Sequence, residues 1–222
     1  MNRRQFIVGA LGLSSTTLPG CANLPMVPLG KDEPSAPAIP PSYINIYGAL
    51  PEEKFPIPAV DLSRVPRRYW RTQVPYPSPH PVGSVVIDTQ TFFLHLVQEN
   101  GMAIRYGVGL GRQGFNWSGQ GVIQWKQAWP KWTPPNEMIE RQPELAKWSA
   151  DNGGMPPGLD NPLGARAMYI FQNGEDTLYR IHGSPEFWTI GKAVSSGCVR
   201  MINQDVIDLF SRVTDGARLL VI

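Results

Sequence analysis

Two residues near the carboxyl-terminal end carry side chains whose types and spacing suit nucleophilic catalysis. Cys198 lies in the segment Ser195-Ser196-Gly197-Cys198-Val199-Arg200, and His182 stands sixteen residues earlier, directly before Gly183 and Ser184. A thiol becomes a strong nucleophile when a nearby base takes its proton, and imidazole is suited to that task. We therefore expect His182 to activate Cys198 for attack on a carbonyl carbon.

The surroundings of Cys198 bear on whether its thiol is reactive or buried and inert. Composition alone leaves both interpretations open, because the chain has 2 cysteines and the other one, Cys21, lies close to the amino terminus. Cys198 follows a glycine in a polar loop rather than standing within a strand core. Arg200 and the helix start that follows favour a thiolate. These features favour a nucleophile.

The two motifs resemble the signature of the L,D-transpeptidase catalytic family, the YkuD-like domains. That signature is His-Gly-Thr, a gap of a dozen or more residues, then Ser-His-Gly-Cys followed by an aliphatic residue and arginine. Ser184 replaces the threonine, and Ser196 stands where many members have a second histidine. The family's general base is the earlier histidine, which is present here as His182.

The resemblance extends over roughly Ser84 to Ile222. The segment Asn161-Pro162-Leu163-Gly164 resembles one that recurs in the family, and Trp129 to Pro135 resembles its tryptophan- and proline-rich loop near the cleft. Ile87-Asp88 and the strand that includes Phe93 to Val97 also fit. Several motifs in the same order are a stronger signal than any one of them alone.

The resemblance implies acyl transfer on a peptidoglycan stem peptide, without metal or cofactor. Cys198 would attack the carbonyl between residues three and four of the stem, release D-alanine and leave a thioester that an amine resolves. His182 would move the proton, and the Gly183 carbonyl would orient its imidazole. The backbone N–H groups of Gly197 and Cys198 are the expected oxyanion donors. The acceptor amine stays open: a second stem, a wall-attached protein or a free D-amino acid.

Further residues are candidates for substrate binding. Arg200 would bind a substrate carboxylate or orient the loop, or else pair with Asp205 on the surface. The other candidates are Ser196, Ser184, Trp129, Trp132 and Trp188, for which turn formation or core packing is the competing interpretation. His95 alternates with apolar residues in a strand and His80 lies among prolines, so both are expected to be structural or solvated.

The elements that must position these residues are predominantly strands. Alternating apolar stretches predict strands near 84–88, 91–98, 102–109, 121–125, 167–171, 177–182 and 218–222. Asn100-Gly101 and Asn173-Gly174 predict hairpin turns. One helix is predicted after an N-cap at Asn203, with an apolar stripe of Val206, Leu209, Phe210 and Val213. The expected fold is mainly β, a sandwich or small barrel with one or two short helices.

Composition excludes several classes of protein. The 222 residues include 22 glycines and 23 prolines, which argues against a helix bundle. The net charge of +2 is too weak to indicate nucleic-acid binding, so no nucleic-acid partner is expected. With 2 cysteines and 3 histidines, a disulfide-stapled scaffold and a zinc cluster are not expected either.

The amino-terminal region is predicted to direct and tether the protein. Residues 1–20 have the features of an export signal: Arg3-Arg4 in a twin-arginine-like string, then a short apolar run. Leu18-Pro19-Gly20-Cys21 resembles a lipobox, so Cys21 is expected to carry lipid and anchor the protein at a membrane of the cell envelope, in the periplasm. Residues 21–82 predict a proline-rich tether, partly packed on the domain, through which regular strands and helices are not expected to run. The catalytic domain is expected at 83–222.

Three other functions are weighed against acyl transfer. A papain-like peptidase places cysteine before histidine, whereas His182 precedes Cys198 here. A hydrolase of the same fold would use water as acceptor, cutting cross-links or releasing wall-attached protein. A non-catalytic wall-binding lipoprotein would not require both Cys198 and His182, and both are present.

Overall fold

The computed structural model describes residues 39–111, 118–195 and 197–222. The predicted export signal, the lipidation site Cys21 and the beginning of the tether lie outside these residues, and so does Ser196. Within the described residues, no helix has the length and apolar character needed to cross a membrane.

Strands dominate the described chain, which confirms the prediction of a mainly β fold with few short helices. The strands are β1 Thr72–Pro75, β2 Val85–Asp88, β3 Phe93–Val97, β4 Met102–Gly107, β5 Leu110–Gly111, β6 Gly119–Ala128, β7 Arg166–Gln172, β8 Glu175–Ser184, β9 Ala193–Ser195, β10 Val199–Ile202 and β11 Ala217–Val221. The α-helices are α1 Pro41–Ile46, α2 Asn136–Arg141 and α3 Asn203–Arg212. Short 3₁₀ turns cover Leu62–Arg64, Arg67–Tyr69, Pro143–Trp148 and Phe187–Thr189.

Nine of the strands form one sheet in the order β1-β4-β3-β2-β11-β6-β7-β8-β10, and β5 pairs with β9 separately. The pairs β2–β11 and β8–β10 are parallel, and the other neighbours in the large sheet are antiparallel. Both predicted hairpin turns are present, with positive φ at Asn100, Gly101, Asn173 and Gly174 as that turn type requires.

Helix α3 packs its apolar stripe on one face of the large sheet. Val206 and Leu209 are fully buried there, together with Ile181 and Met201 from the strands that flank the reactive residues. The helix begins at Asn203 itself, and Ile202 occupies the N-cap position without a capping side chain. The prediction that Asn203 caps the helix is therefore wrong, because its side chain is engaged elsewhere.

The segment 39–82 packs on the same compact unit. Tyr47, Tyr69 and Trp70 are buried in a second apolar cluster with Ile190 and Ile202 of the region around the reactive residues. The expectation that no regular strand or helix runs through this segment is wrong, since β1 pairs with β4 and α1 covers Pro41–Ile46. Proline is tolerated there because β1 is an edge strand and Pro75 is its last residue.

Candidate active site

The parallel pairing of β8 and β10 brings the two reactive residues together at one edge of the large sheet. The register pairs Val199 with Ile181 and Arg200 with His182. Cys198 directly precedes β10, so it stands beside Arg180, one position before Ile181 on β8. The backbone of Arg180 hydrogen bonds to the Cys198 thiol, which confirms this placement.

His182 is held by carbonyl groups. Its side chain lies inside the protein, with the residue 4% exposed, and its Nδ1 lies 2.6 Å from the carbonyl oxygen of Gly183. Because a carbonyl oxygen only accepts hydrogen bonds, Nδ1 must carry the proton and Nε2 is left as the acceptor. The Gly183 carbonyl therefore contacts the imidazole as the resemblance implies, and its role in catalysis stays a prediction.

Burial keeps the His182 imidazole neutral. Removal from water is the largest cause that lowers its pKa from 6.5 to about 4, and the charges of Arg200 and Arg180 contribute in the same direction. Hydrogen bonds to the carbonyls of Gly183 and Pro162 oppose this shift. At neutral pH the ring is therefore ready to accept a proton.

The Cys198 thiol is also shifted toward its neutral form. It is half-buried and not in a disulfide, and burial raises its pKa above the usual value. The Arg180 backbone hydrogen bond and the charges of Arg180 and Arg200 lower the pKa, but burial is the larger effect. Arg200 therefore acts in the predicted direction, but burial outweighs it, so a thiol and a neutral imidazole are the favoured resting pair.

A buried asparagine shapes the loop that faces His182. Asn161 is fully buried, and its amide donates hydrogen bonds to the carbonyls of Pro130 and Pro156 at 3.1 and 3.0 Å. Its Oδ1 accepts from the N–H of Leu163 at 2.9 Å. Pro162 lies between these fixed points, so Asn161 places the Pro162 carbonyl that bonds to the imidazole.

Asn203 is a site residue that the sequence analysis missed. Its Oδ1 accepts a hydrogen bond from the N–H of Ala165 at 2.9 Å, and its Nδ2 donates to the carbonyl of Ser184 at 3.5 Å. A Cβ added at Gly164 or Gly183 would come within 2.4 or 2.2 Å of the same Oδ1. Asn203 thus ties the loop around Pro162 to the end of β8, beside the carbonyl that orients His182.

Arg200 pairs with a different acid from the one the sequence suggested. Its Nη1 lies 2.6 Å from Oε2 of Glu186, whose side chain is 48% exposed. Asp205 is fully buried, accepts a hydrogen bond from the Tyr47 hydroxyl and faces Arg71. A surface pair between Arg200 and Asp205 is therefore excluded, and burial raises the pKa of Asp205 to about 7.

The other predicted substrate contacts differ in accessibility. Ser184 is 3% exposed, and its hydroxyl accepts from the N–H of Glu186. Trp129 is 6% exposed and donates to Glu53, so it packs in the interior rather than lining a cleft. Trp132 and Trp188 are half-buried, and the Arg64 guanidinium lies 4.2 Å from the Trp188 ring centroid. Substrate contact by Trp132 and Trp188 stays a prediction.

Gly197 takes a backbone conformation that favours glycine. Its φ is 136°, and an added Cβ would lie 3.1 Å from the Tyr179 ring. A residue with a side chain would be strained at this position, while the oxyanion role of the Gly197 and Cys198 N–H groups stays a prediction. In the part of the chain that is described, no group of three His, Cys, Asp or Glu side chains is arranged to hold a metal ion.

Comparison with known proteins gives one family match. Residues 83–222 match the YkuD family, described as the L,D-transpeptidase catalytic domain. The chain is 36% identical over 116 residues to "Probable L,D-transpeptidase YbiS" of Escherichia coli K12, covering 50% of this chain and 35% of that protein. It is 44% identical over 70 residues to "Putative L,D-transpeptidase YqjB" of Bacillus subtilis, covering 31% and 38%.

The aligned region is thus about a third of the length of these curated relatives. Among solved structures, the chain is 42% identical to one from Brucella melitensis described as a "Probable carnitine operon oxidoreductase caia". That superposition has a TM-score of 0.49 and covers 73% of this chain and 99% of the other.

Proposed function

Because this chain belongs to the L,D-transpeptidase catalytic domain family, we propose that it is a peptidoglycan L,D-transpeptidase that works through a cysteine acyl-enzyme. The donor is a stem tetrapeptide, the leaving group is D-alanine and the acceptor is an amine. One observation carries the proposal: the Nδ1–H of His182 is fixed on the Gly183 carbonyl at 2.6 Å, on the strand beside Cys198.

The neutral resting pair dictates how the first step proceeds. As the Cys198 sulfur forms a bond to the carbonyl carbon of stem residue three, Nε2 of His182 takes the thiol proton. Negative charge then develops on the carbonyl oxygen, where backbone N–H groups of Gly197 and Cys198 are proposed to stabilise it. When the carbon–nitrogen bond breaks, the His182 proton passes to the departing D-alanine amine.

The second step reverses these proton movements. The acceptor amine attacks the thioester and gives a proton to His182, and the sulfur leaves and recovers it. One peptide bond is broken and another formed, so the reaction needs no nucleotide to drive it. The acceptor is an amine on a second stem or on a wall-attached protein, and water in its place would make the same residues a hydrolase.

Analysis of muropeptides tests this proposal. Purified sacculi rich in tetrapeptide stems should, after incubation with the wild-type protein, yield free D-alanine and new products joined through stem residue three. Cys198→Ser should yield neither, because a hydroxyl is far less acidic than a thiol and has only His182 to activate it. Tripeptides without joined products would indicate hydrolysis, and equal turnover by Cys198→Ser would exclude the cysteine mechanism.

We further propose that the protein is an exported lipoprotein held at the cell envelope through Cys21. Support comes from the Arg3-Arg4 start, the short apolar run and the Leu18-Pro19-Gly20-Cys21 segment. Metabolic labelling with a fatty-acid analogue should mark the wild-type protein and not Cys21→Ser. An unlabelled wild-type protein in the soluble fraction would contradict the lipid anchor and leave the catalytic proposal untouched.

A further inference from the structure

The face of the sheet that carries Cys198 continues beyond the reactive residues as a row of side chains across neighbouring strands. Cys198 stands beside Arg180 across β10 and β8, where the Arg180 backbone bonds to its thiol. The register then pairs Arg180 with Tyr169 on β7 and Tyr169 with Trp125 on β6. These four residues therefore form one line, which starts at Cys198 directly before β10 and crosses β8, β7 and β6.

The row lies on the face opposite helix α3. Ile181 and Met168, the neighbours in sequence of Arg180 and Tyr169, are fully buried in the core beneath α3. Lys126, next to Trp125, reaches the α3 side and donates to the carbonyls of Phe210 and Val213. Because successive side chains of a strand point to opposite faces, Tyr169 and Trp125 project from the other face.

The two aromatic rings in this row are stacked on each other, and one of them is partly exposed. The ring centroids of Trp125 and Tyr169 lie 3.5 Å apart with an interplanar angle of 11°. The Arg180 guanidinium lies 4.3 Å from the Tyr169 centroid, so Tyr169 is enclosed between its two neighbours. Trp125 ends the stack and remains 38% exposed. An exposed tryptophan held in place by stacking is suited to contact a ligand.

A cavity lies near this stack, next to the aromatic residue that follows on the same face of β7. Phe171, two residues after Tyr169 on β7, lines a cavity of about 500 Å³. Its polar lining residues include Gln120, Asn173, Arg218 and His80. Flat amide and guanidinium groups beside an aromatic ring can hydrogen bond to hydroxyl and acetamido groups.

We propose that this face binds the glycan strand that carries the donor stem, with the C–H face of a sugar ring on Trp125 and the next sugar in the cavity lined by Phe171. This inference rests on the proposed function. Three steps between adjacent strands span roughly 14 Å from Cys198 to Trp125. Three extended stem residues cover about 10 Å, and the lactyl group that joins the stem to its sugar covers the remainder.

A comparison of two donors tests the inference. The full chain is given a tetrapeptide carrying its disaccharide or the same tetrapeptide without sugar, and D-alanine release is measured as kcat/KM. The wild-type protein should prefer the sugar-bearing donor. Trp125→Ala should lower kcat/KM for that donor about three- to ten-fold, the size of one aromatic contact, and leave the bare tetrapeptide unaffected. Trp125→Phe should retain most of the preference.

Ile44→Ala serves as the matched control, because Ile44 is an exposed apolar residue on α1. It should change neither rate. A wild-type protein that does not distinguish the donors, or a Trp125→Ala variant that slows both equally, would overturn the glycan contact. Equal slowing would assign Trp125 to the stem peptide or to folding. A wild-type protein that releases D-alanine from neither donor would overturn the proposed function and this inference with it.

Discussion

Two buried histidines stand in opposite halves of the large sheet. They resemble each other in their small exposed fraction and in the direction in which burial shifts their pKa. His182 on β8 is 4% exposed and His95 on β3 is 9% exposed. Removal from water lowers the pKa of each imidazole from 6.5 to about 4. A strongly shifted pKa therefore fails to tell a catalytic base from a structural histidine in this protein.

Their hydrogen bonds separate them. The His182 Nδ1 is fixed by the Gly183 carbonyl, and His182 lies on the strand beside Cys198. The His95 Nδ1 has no hydrogen-bond partner among the described residues, and its ring stacks on Tyr76 at 4.3 Å. A fixed tautomer next to a nucleophile distinguishes the two sites.

Replacing each histidine with alanine in turn should produce the largest difference in activity between the two sites. His182→Ala should lower the rate of D-alanine release about 10²- to 10⁴-fold, the usual contribution of a general acid–base group. His95→Ala should leave that rate within about two-fold, although removing a buried ring costs about 1–3 kcal/mol of stability. Initial rates are measured on protein whose folding has been checked by circular dichroism. Comparable inactivation of a folded His95→Ala protein would refute the assignment.

Replacing Asn203 should have a smaller effect on the acylation rate, which acts through the position of His182. Asn203→Ala removes the link between Ala165 and Ser184, so the carbonyls around the imidazole lose their fixed spacing. We expect acylation of Cys198 to slow about ten-fold, since misplaced catalytic groups lose part of the benefit of orientation. The ¹⁵N chemical shifts of His182 should move toward a mixture of tautomers.

Gln204→Ala is the matched control for this prediction. Gln204 follows Asn203 on α3, is 4% exposed and donates to the carbonyls of Gly48 and Pro58 rather than to the backbone around His182. Its loss should lower the melting temperature while the acylation rate and the His182 shifts remain unchanged. If both variants slowed acylation in proportion to their lost stability, Asn203 would have a structural role only.

The smallest expected effect is that of pH on the acylation rate between pH 8 and pH 5. Because the pKa of His182 lies near 4 rather than 6.5, the neutral base persists as the pH falls from 8 to 5. The acylation rate should be nearly flat across that interval and decline only as the pH approaches 4. Stopped-flow measurement with a fluorescent donor would check this, and an inflection near 6.5 would show that the imidazole is not desolvated in the working enzyme.

Much of this arrangement is predictable from local sequence. Alternating apolar residues and the two Asn-Gly pairs place the hairpins, and the order of His182 and Cys198 identifies the reactive pair. These signals are local because strand alternation and turn conformation depend on neighbouring residues. The helix α3 and its apolar stripe are predictable for the same reason.

Long-range contacts account for the predictions that fail. Asparagine is a residue type favoured at helix N-caps, yet the Asn203 side chain accepts a hydrogen bond from the N–H of Ala165, 38 residues away in the chain. Arg200 finds Glu186 only because β8 and β10 pair in parallel. The thiol pKa depends on how much protein covers Cys198, and Trp129 is buried because residues 53–57 pack over it. Nothing within a few residues of these positions encodes such contacts.

The central claim is that Cys198, activated by His182, carries the acyl group. Intact-protein mass spectrometry after rapid mixing with a stem tetrapeptide tests it most directly, followed by peptide mapping of the modified residue. The account predicts an adduct with the mass of the stem peptide minus D-alanine, located on Cys198. This adduct should form in the wild-type and His95→Ala proteins and be nearly absent in His182→Ala. An adduct on another residue, or one that forms equally fast without His182, would contradict the account.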